Sequence, residues 1–419
     1  MIPSVTATSE RTHQDGQRLR EVSAGFIALI DAAPLLIASA KGFDRAEGLV
    51  LKLSREASWA NIRDKVAAGA FDCAHMIAPM PIASALGLTP FSEPIITPLS
   101  LNRGGSSITL SEALFADMME LAPADAQAGG LTAARALSAV VRRRRQSGAA
   151  PLTFGMVYPF SSHHFDIRYW LADGGIDADE DVNLVVIPPP LLAESLARNR
   201  VDGFCVGAPW GSVAVEESNA RIIATKSEIW PTGPEKVLGM REAWAIENAD
   251  TLGAVIRALT SAAHWLDQPG NREEAARILA EPWAVGVSSH LILRGLEGRL
   301  VRGQTAKADD DPDFLSFFRN GAGVPWRNHA LWLMAQMIRW GIVREPFALD
   351  AVAQRVYRPD IYREAVARLG LAVPNGEAEL SGFAAQTSDG GAAVAYAASF
   401  ALRDRRVELA KFAALNPAL

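Results

Sequence analysis

Three positions in the sequence have side chains suited to holding a small anion. Residues 161–164 (SSHH) precede a helical pattern, so a serine can cap the helix while His163 and free backbone amides face a ligand at its N-terminus. Lys236 lies at the predicted start of a strand, where its ammonium can pair with a buried oxyanion. Trp59 offers an indole face and an N–H donor to a planar ligand. Together they predict an anion-binding site.

Each of these residues also has an ordinary structural interpretation. A lysine before a strand is usually solvated, and a tryptophan is usually part of a hydrophobic core. Adjacent histidines such as His163 and His164 diverge around a helix axis, so they cannot both bind one metal from a regular helix. The anion-site hypothesis therefore depends on the joint occurrence of the three positions.

The sequence lacks the common enzyme signatures. It has no Gly-rich phosphate loop of the Walker or dinucleotide type, no zinc-protease helix and no nucleophile-elbow pentapeptide. Seven histidines and two cysteines give little support for a metal cluster. These features favour a binding protein over an enzyme, and we expect neither a cofactor nor a metal.

Composition sets broad limits on the class of protein. A chain of 419 residues suits two lobes with additional helices, and 49% hydrophobic with 21% charged residues is typical of a globular protein. The net charge of -6 argues against direct nucleic-acid binding. The arginine run 142–145 ends a helical pattern and is interpreted as a solvated helix end. Cys73 and Cys205 are expected to be buried thiols, because a protein that relies on disulfides usually has more cysteines.

The first fifteen residues are polar and lack the uninterrupted apolar segment of a secretory signal. No segment approaches the roughly 20 apolar residues of a membrane span. We therefore expect a cytoplasmic protein that does not associate with a membrane.

Short β-rich runs alternate with helical patterns, as in an α/β fold with helices on both faces of its sheets. Asp31 is predicted to cap a helix, residues 102–107 to form the first crossing between two lobes, and residues 122–131 to be a loose surface connection. The predicted strands are 22–29, 49–53, 71–76, 152–157, 182–187, 202–206 and 220–224. Beyond residue 240 the pattern becomes mostly helical.

Several motifs together resemble the nitrate- and bicarbonate-binding proteins of ABC transporters, and most closely their cytoplasmic relatives of the NasS nitrate/nitrite sensor type. The resemblance runs from about residue 22 to about residue 300. The motifs that carry it are GFI (25–27), DAAPL (31–35), SREASWANIRDK (54–65), AHMIAPMP (74–81), RYWLADGGI (168–176), VIPPP (186–190), DGFCVGAPW (202–210) and PEK (234–236).

The resemblance implies a periplasmic-binding-protein type II-like α/β fold, with two lobes around a cleft and a helical C-terminal extension. Residues 21–105 and 237–300 would form lobe I, residues 106–236 lobe II, residues 1–20 a polar tail, and residues 301–419 a mostly helical region that packs on the lobes.

The same resemblance assigns ligand contacts to Trp59, His163 and Lys236. Bicarbonate binders of the family carry an acidic residue in place of the lysine and use calcium, so Lys236 points to nitrate. The family loop after Leu-Asn-Leu-Asn is altered here to LNRGGSS (101–107), and the relatives' Gly-Glu-Pro-Trp is GAPW (207–210). Four further residues are predicted to contact the ligand, namely Asn102, Gly104, Ser106 and Pro189.

Combined with the expected cytoplasmic location, the resemblance implies a nitrate/nitrite sensor. Such a sensor would hold an RNA-binding antiterminator of the NasT type, with an ANTAR domain, and release it when the anion closes the cleft. The alternative is the nitrate-binding subunit of an ABC uptake transporter, which would use the same site with a different partner. An enzyme related to thiamine-precursor synthases ranks third, because no Cys-rich catalytic motif supports it.

Overall fold

The computed structural model describes residues 19–231, 233–304, 306–376, 387–398 and 408–417. Within these residues, a six-stranded and a five-stranded β-sheet organise the chain, and a third sheet has only two strands. All seven predicted strands overlap observed ones, but the sequence does not predict the strands at residues 95–104 and 106–111. The strands in chain order are β1 (Arg20–Ile27), β2 (Leu49–Glu56), β3 (Cys73–Ile77), β4 (Ile95–Gly104), β5 (Ser106–Ser111), β6 (Leu152–Met156), β7 (Val182–Val186), β8 (Gly203–Gly207), β9 (Ala220–Thr225), β10 (Pro234–Arg241), β11 (Arg299–Val301), β12 (Ala308–Asp310) and β13 (Leu315–Ser316).

The six-stranded sheet has the order β13-β4-β10-β3-β1-β2, and the five-stranded sheet has the order β7-β6-β8-β5-β9. In the first sheet β1 is parallel to β2 and β3, whereas β10 is antiparallel to both of its neighbours. Strands β3, β4 and β8 are buried throughout, although β3 contains His75 and β4 contains Asn102 and Arg103. The α/β fold with two sheet-based lobes agrees with the prediction.

The chain crosses between the sheets at Gly105, inside the segment predicted for the crossing. Gly104 and Gly105 both have positive φ angles, +66° and +86°. A Cβ atom at Gly104 would lie 2.2 Å from the carbonyl oxygen of Phe314, so only glycine fits this turn. The chain returns to the first sheet at β10. The predicted lobe boundary at residues 236/237 falls inside this strand, which pairs with the six-stranded sheet from Pro234 onward.

Helices cover the sheets and dominate the last third of the chain. In the first half they are α1 (Ala33–Lys41), α2 (Phe43–Ala46), α3 (Trp59–Ala67), α4 (Pro79–Ala85), α5 (Glu112–Leu121), α6 (Pro123–Ala128), α7 (Ala133–Ser147), α8 (Ser162–Asp173), α9 (Leu192–Ala197) and α10 (Trp210–Ser218). Later come α11 (Lys226–Ile229), α12 (Glu242–Glu247), α13 (Ala249–Leu266), α14 (Arg272–Ala280), α15 (Ser289–Glu297), α16 (Arg327–Arg339), α17 (Leu349–Val356), α18 (Pro359–Val366), α19 (Gly390–Ala398) and α20 (Leu409–Leu415).

Two local predictions are wrong. Residues 122–131 contain the helix α6, which begins at a proline in the first helical turn, where its missing N–H costs nothing. Asp31 does not cap a helix. It lies in a short 3-10 turn, Ile30–Ala32, and its buried side chain faces basic groups of other elements. Tertiary charge pairing outweighs the local capping preference at this position.

Helices α16 and α17 connect the two lobes. The Tyr357 hydroxyl, just after α17, donates to the Ala78 carbonyl of the first lobe over 2.9 Å. On the other side, the Trp332 ring of α16 meets the Trp230 ring at 4.8 Å between centroids. Nearly every residue of α16 is buried, so this part of the C-terminal region belongs to the core.

Candidate functional site

Trp59 is the first residue of α3, which Ser58 caps by accepting a hydrogen bond from the Asn61 amide. The indole is 1% exposed, and the Trp59 and His75 rings meet edge to face at 5.1 Å. The Lys236 ammonium lies 5.7 Å from the Trp59 ring centroid. The tryptophan thus borders a buried cation and is also part of the core.

His163 is in the first turn of α8, as the sequence predicts. The Ser161 side chain accepts a hydrogen bond from the His164 amide and caps the helix. His163 is fully buried, and its Nε2 atom lies 2.9 Å from Glu235 Oε1. The helix start therefore fixes this imidazole against the first residues of β10.

Lys236 lies near the start of β10, paired with Ile77 of β3 on one side and Asn102 of β4 on the other. Its side chain is 0% exposed, and its ammonium is 2.8 Å from Asp31 Oδ2 and 2.5 Å from Glu235 Oε1. Burial alone would lower the pKa of Lys236, but Asp31 and Glu235 raise it above its usual value. The ammonium is therefore charged at neutral pH.

These contacts belong to a larger set of ionisable side chains, each at most 2% exposed, between the two sheets. We call it the buried charge cluster, and its members are Asp31, His75, His163, Asp166, Lys226, Glu235 and Lys236. Glu235 connects its two halves, because Oε1 faces Lys236 and Oε2 lies 2.7 Å from Lys226. Buried charges of this kind require close partners, since desolvation is costly.

In the half on the first lobe, Asp31 lies between two basic groups. Its Oδ1 is 3.0 Å from His75 Nε2 and its Oδ2 faces Lys236. Burial alone would raise the pKa of Asp31, but the charge of Lys236 and the close contact with His75 lower it below its usual value. Gly207 leaves room for the side chains of Asp31 and His163, because a Cβ atom at this position would lie 3.0 Å from Asp31 Oδ2 and 3.7 Å from His163 Nε2.

In the half on the second lobe, Lys226 is shared between two carboxylates. Its ammonium is 3.0 Å from Asp166 Oδ2 and 2.7 Å from Glu235. Burial raises the pKa of Asp166 to about 6 although Lys226 opposes the rise, and the negative charge of Glu235 adds to it. The pKa of Glu235 is well below its usual range, because Lys226, Lys236 and His163 together overcome the effect of its burial.

Two buried donor positions at this site have neither a hydrogen-bond partner nor an ion-pair partner among the described residues. They are Nδ1 of His163 and Nε1 of Trp59. Buried polar atoms are usually paired, so both are candidates for contacting a bound anion. The fold thus brings the three residues that the sequence analysis selected close together, because Trp59 borders Lys236 and His163 shares the Glu235 carboxylate with it.

The other four predicted ligand contacts differ in their relation to the buried charge cluster. Ser106 lies beside the buried charge cluster, with its hydroxyl 3.4 Å from Asp166 Oδ2. Asn102 donates to the Gly104 carbonyl over 3.0 Å, and its Oδ1 has no partner among the described residues. Pro189 is buried at the start of a short 3-10 turn, Pro189–Leu191. Asn102 is the strand partner of Lys236, but no side-chain hydrogen bond or ion pair among the described residues links Asn102, Gly104 or Pro189 to the cluster. Contact of these residues and of Ser106 with a ligand stays a prediction.

Sequence reasoning missed most of the charged partners. His75, which stands in an apolar run, and Asp166, which lies in the polar start of α8, were not selected as site residues. The sequence did contain a signal for His75, because an ionisable residue inside an apolar run is rarely buried without a partner. Lys226 and Glu235 were also missed. Only the fold brings the cluster together, from positions up to about 200 residues apart in sequence.

Two further observations concern metal ions and membrane-spanning helices. In the part of the chain that the structure describes, no three His, Cys, Asp or Glu side chains are arranged to hold a metal ion. None of the helices in the described ranges is both long enough and apolar enough to cross a membrane.

Comparison with known proteins gives a consistent picture. A model of the NMT1-like family matches residues 15–280. The nitrate/nitrite binding protein NrtA of Synechococcus elongatus is 31% identical over 88% of this chain and 82% of its own length. The nitrate import ATP-binding protein NrtC of Synechocystis is 36% identical over 88% of this chain, which spans only 53% of that relative.

A crystal structure extends the likeness to three dimensions. The periplasmic nitrate-binding protein NrtA from Synechocystis superposes with a TM-score of 0.83 at 28% identity, covering 92% of this chain and 99% of that one. The periplasmic-binding-protein-like fold predicted from the motifs is thereby confirmed. The chain belongs to the NMT1-like family, and its relatives include nitrate-binding proteins.

Proposed function

We propose that this protein binds nitrate or nitrite at the buried charge cluster, in contact with Lys236, His163 and Trp59. The observation that carries the proposal is the fully buried Lys236 ammonium, which lies 5.7 Å from the Trp59 ring centroid and shares the Glu235 Oε1 atom with His163. His163 Nδ1 and Trp59 Nε1 are unpartnered among the described residues. One full charge with neighbouring planar donors suits a small, planar monoanion, and charge-assisted hydrogen bonds are the strong ones.

Lys236 also favours nitrate over a calcium-dependent bicarbonate site. A buried ammonium repels a divalent cation, and it complements a monoanion directly. Relatives of both kinds match the chain: NrtA of Synechococcus elongatus is a nitrate/nitrite binding protein and CmpA of the same organism is a bicarbonate-binding protein. The choice between these ligands therefore rests on Lys236.

For the cellular role, the relatives favour the solute-binding component of an ABC-type nitrate uptake system. They include an import ATP-binding protein and a periplasmic binding protein. The cytoplasmic sensor with a NasT-type antiterminator, expected from the sequence, has no support among them. It is a second hypothesis that uses the same anion site. Cell fractionation separates the two, because the uptake component would be found in the periplasm or at the membrane.

Titration calorimetry tests the ligand. The purified protein is titrated with nitrate, nitrite and bicarbonate, the last with and without calcium. The proposal predicts saturable binding of nitrate or nitrite and no calcium-dependent binding of bicarbonate. Binding of bicarbonate only, or of none of the three, would contradict it.

A further inference from the structure

The buried charge cluster contains one more negative than positive charge. Asp31, Asp166 and Glu235 provide three carboxylates, while Lys226 and Lys236 provide two ammoniums. Burial lowers the pKa of both His75 and His163, which favours their neutral forms. A bound monoanion would therefore add a second negative charge to a site that water does not screen.

His163 is placed to balance that charge. Its Nε2 faces the Glu235 carboxylate at 2.9 Å, whereas its buried Nδ1 has no partner among the described residues. A neutral imidazole carries one N–H, and the imidazolium carries two. Protonated His163 would donate to Glu235 through Nε2 and to the anion through Nδ1.

We propose that this site binds two ligands together, a monovalent oxyanion and one proton, with the proton held on Nδ1 of His163. The inference rests on the function proposed above and deepens it. The proton comes from solvent, no covalent bond to the anion forms or breaks, and the cluster with its ligand keeps the net charge of the cluster alone.

Other groups around His163 determine whether the proton stays there. Glu235 favours the imidazolium, while Lys236 and Lys226 disfavour it. Asp31 approaches from the first lobe across Gly207, and Asp166, His164 and Arg168 lie on the same helix as His163. The thiol of Cys205 is neutral, because burial and the nearby carboxylates raise its pKa. The anion adds a negative charge, so the pKa of His163 rises on binding.

Proton uptake makes nitrate affinity change with pH in one direction. Binding takes up a proton at any pH between the pKa of His163 in the free protein, which lies below 6.5, and its higher pKa in the complex. In that window nitrate affinity falls as the pH rises, by up to about tenfold per pH unit.

The test is a direct count of protons. Potassium nitrate is added to the unbuffered protein at pH 7 with a pH electrode in the solution, and calorimetry measures the nitrate bound. Potassium chloride controls for ionic strength. We expect about one proton taken up per nitrate in the wild type, and close to none in His163→Gln, which retains an amide donor but cannot titrate. His290→Gln, at an exposed histidine that faces Glu216, should behave as the wild type.

Three results would overturn the inference. Wild-type protein that binds nitrate without taking up a proton would exclude proton linkage, while the proposed function would stand. Proton uptake that persists in His163→Gln, or that is lost in Asp166→Asn instead, would place the proton elsewhere. If neither nitrate nor nitrite binds at all, both this inference and the proposed function fail.

Discussion

Asp31 and Asp166 are the same residue type in one buried cluster, yet their pKa values shift in opposite directions. Asp31 on the first lobe has two basic partners, His75 and Lys236, of which Lys236 is shared with Glu235, and its pKa falls. Asp166 on the second lobe shares Lys226 with Glu235, and its pKa rises to about 6. The number of partners, and not burial alone, therefore decides which carboxylate is stably charged.

The largest expected effect is the loss of nitrate binding when the first-lobe half of the buried charge cluster is changed. Lys236→Glu should abolish nitrate binding in calorimetry, because it replaces the buried cation by an anion beside Asp31 and Glu235. Lys52→Glu is the matched control, since Lys52 is exposed, and its nitrate affinity should be unchanged. A cooperative thermal transition checks that Lys236→Glu folds. If it does not, Lys236→Met combined with Asp31→Asn removes both charges and should also fail to bind. Unchanged affinity in a folded variant would refute the site.

The two aspartates can be compared directly through stability at pH 7. Asp31→Asn removes a favourably charged group from Lys236, and we expect it to lower the free energy of unfolding by about 3–5 kcal/mol. Asp166→Asn should lower it much less, because its ionised form is disfavoured by burial and by Glu235. Urea denaturation measures both, and equal losses would contradict the difference between the two halves.

The pH dependence of stability sharpens the same contrast. The raised pKa of Asp166, about 6 instead of 3.8, corresponds to about 3 kcal/mol. Between these values the folded state holds a proton that the unfolded state has lost. The wild type should therefore lose stability relative to Asp166→Asn as the pH rises from 4 to 6. Urea denaturation of both proteins across this range measures the difference, and parallel profiles would show that Asp166 does not titrate there.

A smaller effect on nitrate affinity is expected for Trp59. Trp59→Phe keeps an aromatic ring in the core but removes the buried N–H, and should weaken nitrate binding by about 1–3 kcal/mol. Trp170→Phe is the matched control, because the Trp170 indole donates to the Gly130 carbonyl at 2.9 Å. It should lower stability without changing affinity. Equal nitrate affinity in Trp59→Phe and the wild type would remove Trp59 from the site.

The sequence was sufficient for most of the alternation of strands and helices and for the crossing near Gly105, and it selected three residues that the fold brings close together. Local signals specify these features, such as the Ser161 cap ahead of His163 and the strand that starts before Lys236. The role of Asp31 was not accessible in this way. Local spacing suggested a helix cap, whereas the fold brings His75 and Lys236 to it from 44 and 205 positions away. Such charge pairing depends on how the sheets meet, which no short window contains.

A crystal structure with bound nitrate tests the central claim most directly. We predict nitrate density between the two lobes, within hydrogen-bond distance of Lys236 Nζ, His163 Nδ1 and Trp59 Nε1. Density for nitrate at another place, with these three atoms out of its reach, would contradict the site proposed for this protein.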